Sequence, residues 1–341
     1  MRQIISRKRP LNAGWLSVEI IHPVVALLLV FLCSFATGAP AETGEKHVVI
    51  VRHSVGESSS RLIKGFKSHF ARHSLANKLT IVTANSSDLP DSLLPDSLRS
   101  LGPDLIITIG SNLTRIVRQS ITDIPIVFGA VFQPEISGFV SSRKRPGGNV
   151  TGASLDISLR QQFKYFKQVY PDLKRVGVIH SEEMSELIKR AKKAAAAAGL
   201  ELRAAPVSAG GPGGAELAVY AALDSLLENV DGLWSLADPL VFSRINTRLI
   251  LSRTLKERVP FMGFSSTLVA SGALFALDFD YKDIGRQVGE LAEKVLSGSS
   301  PASLSVTRPG VIWFHYNENT SRQVSVAIPD ELKLVAKKVF K

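Results

Sequence analysis

The 341-residue sequence contains a single cysteine, Cys33, and this residue lies close to the N-terminus. One cysteine cannot form an internal disulfide, and the residues that follow it supply neither a thiolate metal ligand nor a cysteine nucleophile. The lack of thiols suits an oxidising compartment, although it does not require one.

Motifs of the common enzyme classes are also absent. The chain has no Gly-x-Ser-x-Gly elbow, no phosphate loop ending in Gly-Lys-Ser or Gly-Lys-Thr, and no His-Glu-x-x-His segment. His69 and His73 lie four residues apart on a predicted helix, but a third ligand is missing, so we interpret them as an exposed polar face. The glycine-rich segment 210–214 contains proline and no lysine, which favours a surface turn. We expect neither catalysis nor a metal or cofactor.

Long apolar runs are missing too, apart from one of about a dozen residues at 24–35, against roughly 20 needed to cross a bilayer. Basic residues at 7–9 precede this run, and the small residues Ala39 and Ala41 follow it. This order predicts a signal peptide over residues 1–41, cleaved before Glu42, and export to the periplasm. An uncleaved anchor fits the short run less well, and Leu32 argues against lipid attachment at Cys33.

Positive charge is abundant but not clustered. The formal net charge is +11, of which residues 1–41 contribute +3. The densest basic cluster after the predicted cleavage point is Arg143–Arg145, flanked by proline and glycine rather than by aromatic residues. We therefore expect a cationic protein surface and no nucleic-acid partner.

Short apolar runs alternate with amphipathic segments along the rest of the chain. Continuous runs of this kind are typical of strands buried on both faces of a parallel sheet. Stripes of helical period lie at 62–70, 159–170, 187–198 and 284–295, and glycines at 199 and 298 end the last two. The alternation predicts an α/β fold of parallel βαβ units. The predicted strands are 48–51, 105–109, 126–128, 176–179, 232–236, 260–264 and 273–277.

The pattern is interrupted at 145–152, with about four βα units on each side. Two similar Rossmann-like halves joined by a short hinge suggest a cleft between them that closes on a ligand. In such folds the loops after the carboxyl ends of the strands face the ligand.

Those loops carry short hydroxyls, amides, an aromatic ring and several charges, which suit a small polar ligand. Helix capping is the competing explanation, since Ser111 and Ser265 stand where a helix begins. Asp238, with Pro239 behind it, could cap a helix or receive a cationic group. The candidate ligand-binding residues are Arg52, His53, Ser111, Asn112, Phe132, Gln133, His180, Ser181, Asp238, Ser265 and Ser266.

Several segments together resemble one known family. They are PDLII at 103–107, DIPIVF at 123–128, RPGGNVTG at 145–152, KRVGVI at 174–179, GAL at 272–274 with Asp280, Tyr281 and Gly285 behind it, and IPDEL at 328–332. On these residues the chain resembles the ABC-transporter substrate-binding proteins related to the tryptophan/tyrosine-binding type, which have the type I periplasmic-binding fold.

The resemblance implies three crossovers between two lobes. It implies an N-lobe of residues 46–150 plus 279–303 and a C-lobe of residues 151–278 plus 304–341. The helix at Tyr281–Leu296 then belongs to the N-lobe, and a last strand at 311–315 returns to the C-lobe. Ser111 and Asp238 would contact the ligand from opposite lobes, with Asp238 accepting its ammonium group.

Other loops depart from the pattern of the family, which leaves the ligand open. Arg52-His53-Ser54, Phe132-Gln133-Pro134, His180-Ser181 and Ser265-Ser266 replace its usual Glu-His-Pro, Thr-Asp-Pro, Tyr-Asn and Asp-Thr. Arg52 could pair with a carboxylate.

The resemblance implies a periplasmic, monomeric solute-binding component of an ABC importer. Its partners would be a membrane permease and an ATPase, and an amino acid is one hypothesis for its ligand. The alternative is a periplasmic sensor that presents its ligand to a receptor kinase.

Overall fold

The structure is a computed structural model, and it describes residues 45–71, 79–210 and 214–341. The predicted signal peptide, Cys33, His73 and residues 211–213 lie outside the described residues.

Strands and helices alternate along most of the described chain, as the apolar pattern predicts. The strands are β1 (Lys46–Arg52), β2 (Leu79–Asn85), β3 (Leu105–Ile109), β4 (Ile126–Val131), β5 (Val150–Ser154), β6 (Arg175–Ser181), β7 (Glu201–Val207), β8 (Gly232–Trp234), β9 (Phe261–Gly263), β10 (Phe275–Phe279), β11 (Ile312–Asn317) and β12 (Ala336–Phe340). The helices are α1 (Glu57–Phe70), α2 (Leu94–Arg99), α3 (Ser111–Ser120), α4 (Leu159–Val169), α5 (Ser185–Ala196), α6 (Gly214–Leu227), α7 (Arg244–Lys256), α8 (Ser266–Ala270), α9 (Tyr281–Leu296), α10 (Glu318–Gln323) and α11 (Asp330–Leu334).

The chain divides into two compact units. The first comprises the described residues up to Asp156 together with Tyr281–Gly310, and the second comprises Ile157–Asp280 and Val311–Lys341. The sequence-based boundaries at 150 and 303 fall several residues earlier than these. The reason is that β5 pairs with β4, and Thr307 forms a parallel bridge with Ala153, so both segments belong to the first unit.

The first unit is built on a five-stranded sheet in the order β2-β1-β3-β4-β5, and every pairing in it is parallel. The apolar residues of β1, β3 and β4 are buried, as expected for strands covered on both faces. Helices α1 and α9 pack tightly, because Gly65 and Gly285 bring the two backbones together. A Cβ atom on Gly285 would lie 1.9 Å from the carbonyl oxygen of Leu62.

The second unit is built on a seven-stranded sheet in the order β12-β11-β10-β9-β8-β6-β7. Strands β6 to β10 run parallel, whereas β11 is antiparallel to β10 and β12 is parallel to β11. The predicted α/β class with mostly parallel sheets is confirmed, and the antiparallel pair is a departure from it. Gly199 and Gly298 have φ values of 71° and 97°, which confirms the predicted helix ends.

Candidate functional site

The carboxyl ends of the five strands of the first sheet meet at one edge of the first unit. The predicted residues Arg52, His53, Ser111, Asn112, Phe132 and Gln133 follow β1, β3 and β4 there. The fold therefore places these six residues along one edge.

At the β1 end, the Arg52 side chain forms a hydrogen bond with a residue that the sequence did not indicate. Its Nε atom donates a hydrogen bond of 2.8 Å to Oδ1 of Asn85, which lies opposite Arg52 in the parallel pairing of β1 and β2. His53 is exposed, with Nδ1 3.4 Å from Oγ of Ser86. Burial and the positive charge of Arg52 lower the pKa of Lys67 on α1.

At the β3 end, Ser111 is the first residue of α3 and is not the N-cap. The cap position belongs to Gly110, whose φ of 94° is one that glycine adopts readily, and its N–H donates to the carbonyl of Gly129 at 2.9 Å. The capping interpretation of Ser111 is therefore wrong. Its hydroxyl has no hydrogen-bond partner among the described residues. Asn112 is exposed and accepts a hydrogen bond from Arg115.

The β4 end adopts unusual backbone conformations. Ala130 has a φ of 58° where the register with β5 shifts, and Gln133 has a φ of 45°. Positive φ values are uncommon for residues other than glycine, and they concentrate at functional sites. Phe132 between them keeps 36% of its surface exposed.

A buried carboxylate fixes Gln133 in this conformation. Asp156, which is 6% exposed, accepts hydrogen bonds from the backbone N of Gln133 at 3.0 Å and from its Nε2 at 2.9 Å. Its Oδ2 also accepts from Nη2 of Arg143, whose Nη1 donates to Oγ of Ser154 at 3.0 Å. Burial raises the pKa of Asp156, and the charge of Arg143 opposes that rise. The sequence analysis missed Asp156 because it assigned residues from 151 onward to the C-lobe.

In the second unit, the other predicted residues also share an edge. His180 and Ser181 end β6, Asp238 follows β8, and Ser265 and Ser266 follow β9. Strands β6, β8 and β9 are parallel neighbours, so their carboxyl ends lie together.

Asp238 is 2% exposed, and both oxygens of its carboxylate accept hydrogen bonds from backbone N–H groups. Ser181 N donates to Oδ2 at 2.7 Å and Leu240 N donates to Oδ1 at 3.1 Å. The next helix, α7, begins at Arg244 and is capped by Ser243, so of the two alternatives for Asp238 the one in which it caps a helix with Pro239 in the first turn is wrong. The carboxylate instead joins the loops after β6 and β8.

The remaining predicted residues at this edge differ in their hydrogen bonding. His180 is buried, with Nδ1 2.8 Å from the carbonyl oxygen of Ser181. Ser266 donates from its N and its Oγ to Oδ2 of Asp278, at 3.1 and 2.6 Å. Ser265 occupies the N-cap position of α8, but its side chain makes no cap hydrogen bond, and within the described chain its hydroxyl has no partner.

A surface pocket of about 430 Å³ opens elsewhere in the second unit. It adjoins the carboxyl end of β11, which runs against β10, so it lies at the sheet edge opposite Ser181 and Asp238. It is therefore separate from the candidate site. Its lining residues are Tyr316, Glu318, Ser321, Arg322, Ser325, Ala327, Ile328 and Lys333.

Metal-ligand side chains do not cluster in the part of the chain that the structure describes. Nε2 of His69 lies 2.8 Å from Oε2 of Glu293, and the His69 side chain is 8% exposed, so the interpretation of His69 as part of an exposed face is wrong. None of the helices among residues 45–71, 79–210 and 214–341 has the length and apolar character needed to cross a membrane.

Residues 48–340 match the family model described as ABC transporter substrate binding protein. The chain is also 30% identical over 231 residues to a tyrosine-binding protein of Clostridioides difficile strain R20291, a match that covers 65% of this chain and 63% of that relative. The chain thus spans less than two thirds of the length of this curated relative.

Two solved structures share the fold. One is the ABC domain of Streptococcus pneumoniae in complex with L-Trp, with a TM-score of 0.64 and 21% identity over 87% of this chain and 100% of that one. The other is a ligand-free, open substrate-binding protein with adhesive properties from Clostridium difficile, with a TM-score of 0.70, 20% identity and the same coverage. They confirm the predicted type I periplasmic-binding fold. The family is defined by substrate binding and not by catalysis, and the chain belongs to this family of ABC transporter substrate-binding proteins.

Proposed function

We propose that the protein is the solute-binding component of an ABC importer and that its ligand is an amino acid or a related compound. The observation that carries this proposal is the gathering of predicted polar residues at the carboxyl edge of each sheet. Two of their hydroxyls, those of Ser111 and Ser265, have no partner among the described residues and are available to a ligand.

The relatives favour an amino acid with an aromatic side chain. One is named as a tyrosine-binding protein, and a protein of the same fold was crystallised with L-Trp. Phe132, which is 36% exposed at the β4 end, offers a ring on which an aromatic side chain could pack. In this proposal Ser111 and Asn112 supply hydrogen bonds to the polar end of the ligand.

A thermal-shift screen tests the ligand class. A compound that binds the folded protein raises its melting temperature as the compound's concentration rises. We expect L-tyrosine or L-tryptophan to do so, and sugars and nucleosides to leave the melting temperature unchanged. A specific rise with a sugar or nucleoside, and none with any amino acid, would contradict the proposed ligand class.

The proposed location is the periplasm, reached through a signal peptide over residues 1–41, where the protein acts as a monomer with a membrane permease and an ATPase as partners. N-terminal sequencing of the exported protein should begin at Glu42. Deletion of the gene should abolish uptake of the radiolabelled ligand. Normal uptake with loss of a ligand-dependent transcriptional response would favour the receptor-kinase alternative instead.

A further inference from the structure

An extra segment lies alongside β5 and brings an arginine to the edge of the first sheet. Thr307 N donates to the carbonyl of Gly152 and Ser154 N donates to the carbonyl of Thr307, both at 3.0 Å. Thr307 and Ala153 are thus parallel partners. The next residue, Arg308, therefore lies beside the carboxyl end of β5, in the same unit as Gln133 and Ser111.

The carboxylates near Arg308 are Asp156 and Glu135, which lie within electrostatic range of its guanidinium. Asp156 already accepts hydrogen bonds from Gln133 and Arg143, and Glu135 accepts one from the backbone N of Arg143 at 2.9 Å. Arg308 itself forms no hydrogen bond and no ion pair with any residue that the structure describes. Its donors are free, whereas Arg143 beside it donates to Ser154 and Asp156.

The surroundings of Arg308 favour pairing with an anion. Surrounding protein removes water from part of the guanidinium and thereby lowers its pKa, and the positive charge of Arg143 lowers it further, whereas the carboxylates of Asp156 and Glu135 raise it. An arginine offers donors in a planar fork that matches the two oxygens of a carboxylate. Arg308 is exposed, so a ligand can reach its guanidinium.

We propose that Arg308 binds a carboxylate group of the ligand through a bidentate ion pair at the carboxyl edge of the first sheet. This inference rests on the proposed function and deepens it, because it assigns the ligand an anionic end and names its receptor. The rival candidate is Arg52, which the sequence indicated for this role. Its Nε donates a hydrogen bond to Asn85. In this proposal Asp156 is a positioning residue. It accepts hydrogen bonds from Gln133 and Arg143, and it forms no ion pair with Arg308.

The test compares each amino acid with its carboxamide, which lacks the negative charge. Dissociation constants for L-tyrosine, L-tryptophan and their carboxamides are measured by calorimetry on the wild type and on Arg308→Gln. Loss of a charge-assisted hydrogen-bonded pair should weaken binding of the free amino acid roughly 10- to 100-fold. Binding of the carboxamide should change less than about threefold. Arg308→Lys, which keeps the charge but loses the fork, should fall between the two.

The matched control is Arg248→Gln, at an exposed arginine on α7 of the second unit, and Arg52→Gln tests the rival assignment. Neither should reduce the preference for the free amino acid over its carboxamide. Loss of that preference in Arg52→Gln and not in Arg308→Gln would overturn the assignment. So would an equal loss for both ligand forms in Arg308→Gln, since that outcome indicates a structural role.

A thermal-shift panel separates this inference from the proposed function. The panel contains dicarboxylates, aromatic acids and inorganic phosphate in addition to the amino acids. If amino acids fail but another carboxylate raises the melting temperature of the wild type and not of Arg308→Gln, the ligand class is wrong and the role of Arg308 stands. If phosphate alone depends on Arg308, or if no carboxylate raises the melting temperature, the inference is wrong.

Discussion

At the residue scale, Asp156 is the side chain on which the edge of the first sheet most depends. It is buried, and Arg143, with a side chain that is 16% exposed, is its partner. Removal of one partner from a buried pair leaves the other charge uncompensated. We expect Asp156→Ala to lower the free energy of unfolding by about 3 kcal/mol.

Urea denaturation followed by circular dichroism measures this loss. The control is Asp330→Ala, because Asp330 pairs with Lys333 on the surface, where such pairs contribute little. The control should unfold close to the wild-type midpoint. If Asp156→Ala matched it, the buried carboxylate would not stabilise this edge.

A second residue-scale prediction concerns an exposed pair. Two hydrogen bonds of 2.8 Å from Arg99 to Asp123 lower the pKa of that carboxyl to about 2. Because the folded-state pKa lies below the unfolded value of about 4, the stabilisation is present above pH 4. It is lost as the pH falls towards 2. An NMR titration should show the Asp123 pKa rising towards 4 in Arg99→Gln, and a value near 4 in both proteins would refute the pairing.

Sequence reasoning identified the polar residues at the strand ends but not their hydrogen-bond partners. It could predict Arg52, Gln133 and Ser266, because polar side chains directly after buried strands are visible in the sequence. It could not predict Asn85, Asp156 or Asp278, which engage them, because each lies on a different strand or crossover. Such pairings depend on sheet order and register, which a linear pattern does not contain.

At the element scale, the apolar pattern missed the strands at the ends of the two sheets, β2, β5, β7 and β12, and the inner antiparallel strand β11, which only the family resemblance predicted. The other inner strands are covered on both faces and have continuous apolar runs, so the pattern found them. End strands contain polar or small residues, such as Lys337 and Lys338 in β12, and Pro206 in β7 lies where a sheet edge tolerates proline. The residues of β5 are buried, but they include threonine, glycine and serine, so β5 has no continuous apolar run.

The contact between α1 and α9 gives an element-scale prediction. Alanine at Gly285 would place its Cβ 1.9 Å from a backbone oxygen of Leu62, which cannot move without separating the helices. We expect Gly285→Ala to lower the free energy of unfolding by about 2 kcal/mol or more, although alanine favours helices intrinsically. Chemical denaturation of the purified variant measures this change.

Gly289 on the same helix is the matched control. An alanine Cβ there would lie 2.8 Å from Cβ of His69, a milder approach than the 1.9 Å at Gly285, so Gly289→Ala should cost less. Equal losses in the two variants would mean that backbone contact is not what limits this interface.

His315 on β11 gives a pH prediction at the same scale. The His315 ring is buried, and neither nitrogen has a hydrogen-bond partner in the described parts of the chain. Burial lowers the pKa of His315, Lys337 and Lys338 of β12 lower it further, and Asp278 of β10 opposes them. The folded protein therefore resists a proton that the unfolded chain accepts below about pH 6.5, so stability falls as the pH drops below that value.

The variant His315→Leu tests this account. Its free energy of unfolding should fall less between pH 7 and pH 5 than that of the wild type, because the titrating ring is gone. At pH 7 it should be about as stable, since no hydrogen bond is lost. A pH dependence identical to that of the wild type would contradict the assignment to His315.

At the scale of the whole molecule, the chain is two α/β units connected at three points in the sequence, between residues 156 and 157, 280 and 281, and 310 and 311. The periodicity of the sequence predicted the α/β class, and its family segments predicted the type I fold. Ligand identity was beyond its reach, because the loops that choose the ligand depart from the family pattern. The central claim is that residues at the carboxyl edge of the first sheet bind one amino acid.

Calorimetric titration of the purified protein with L-tyrosine and L-tryptophan tests that claim most directly. We expect saturable binding of one ligand per chain, weakened roughly 2- to 10-fold by Ser111→Ala, which removes one neutral hydrogen bond. The controls Ser100→Ala and Ser225→Ala, at exposed sites, should bind as the wild type does. Absence of saturable binding, or unchanged affinity in Ser111→Ala, would contradict it.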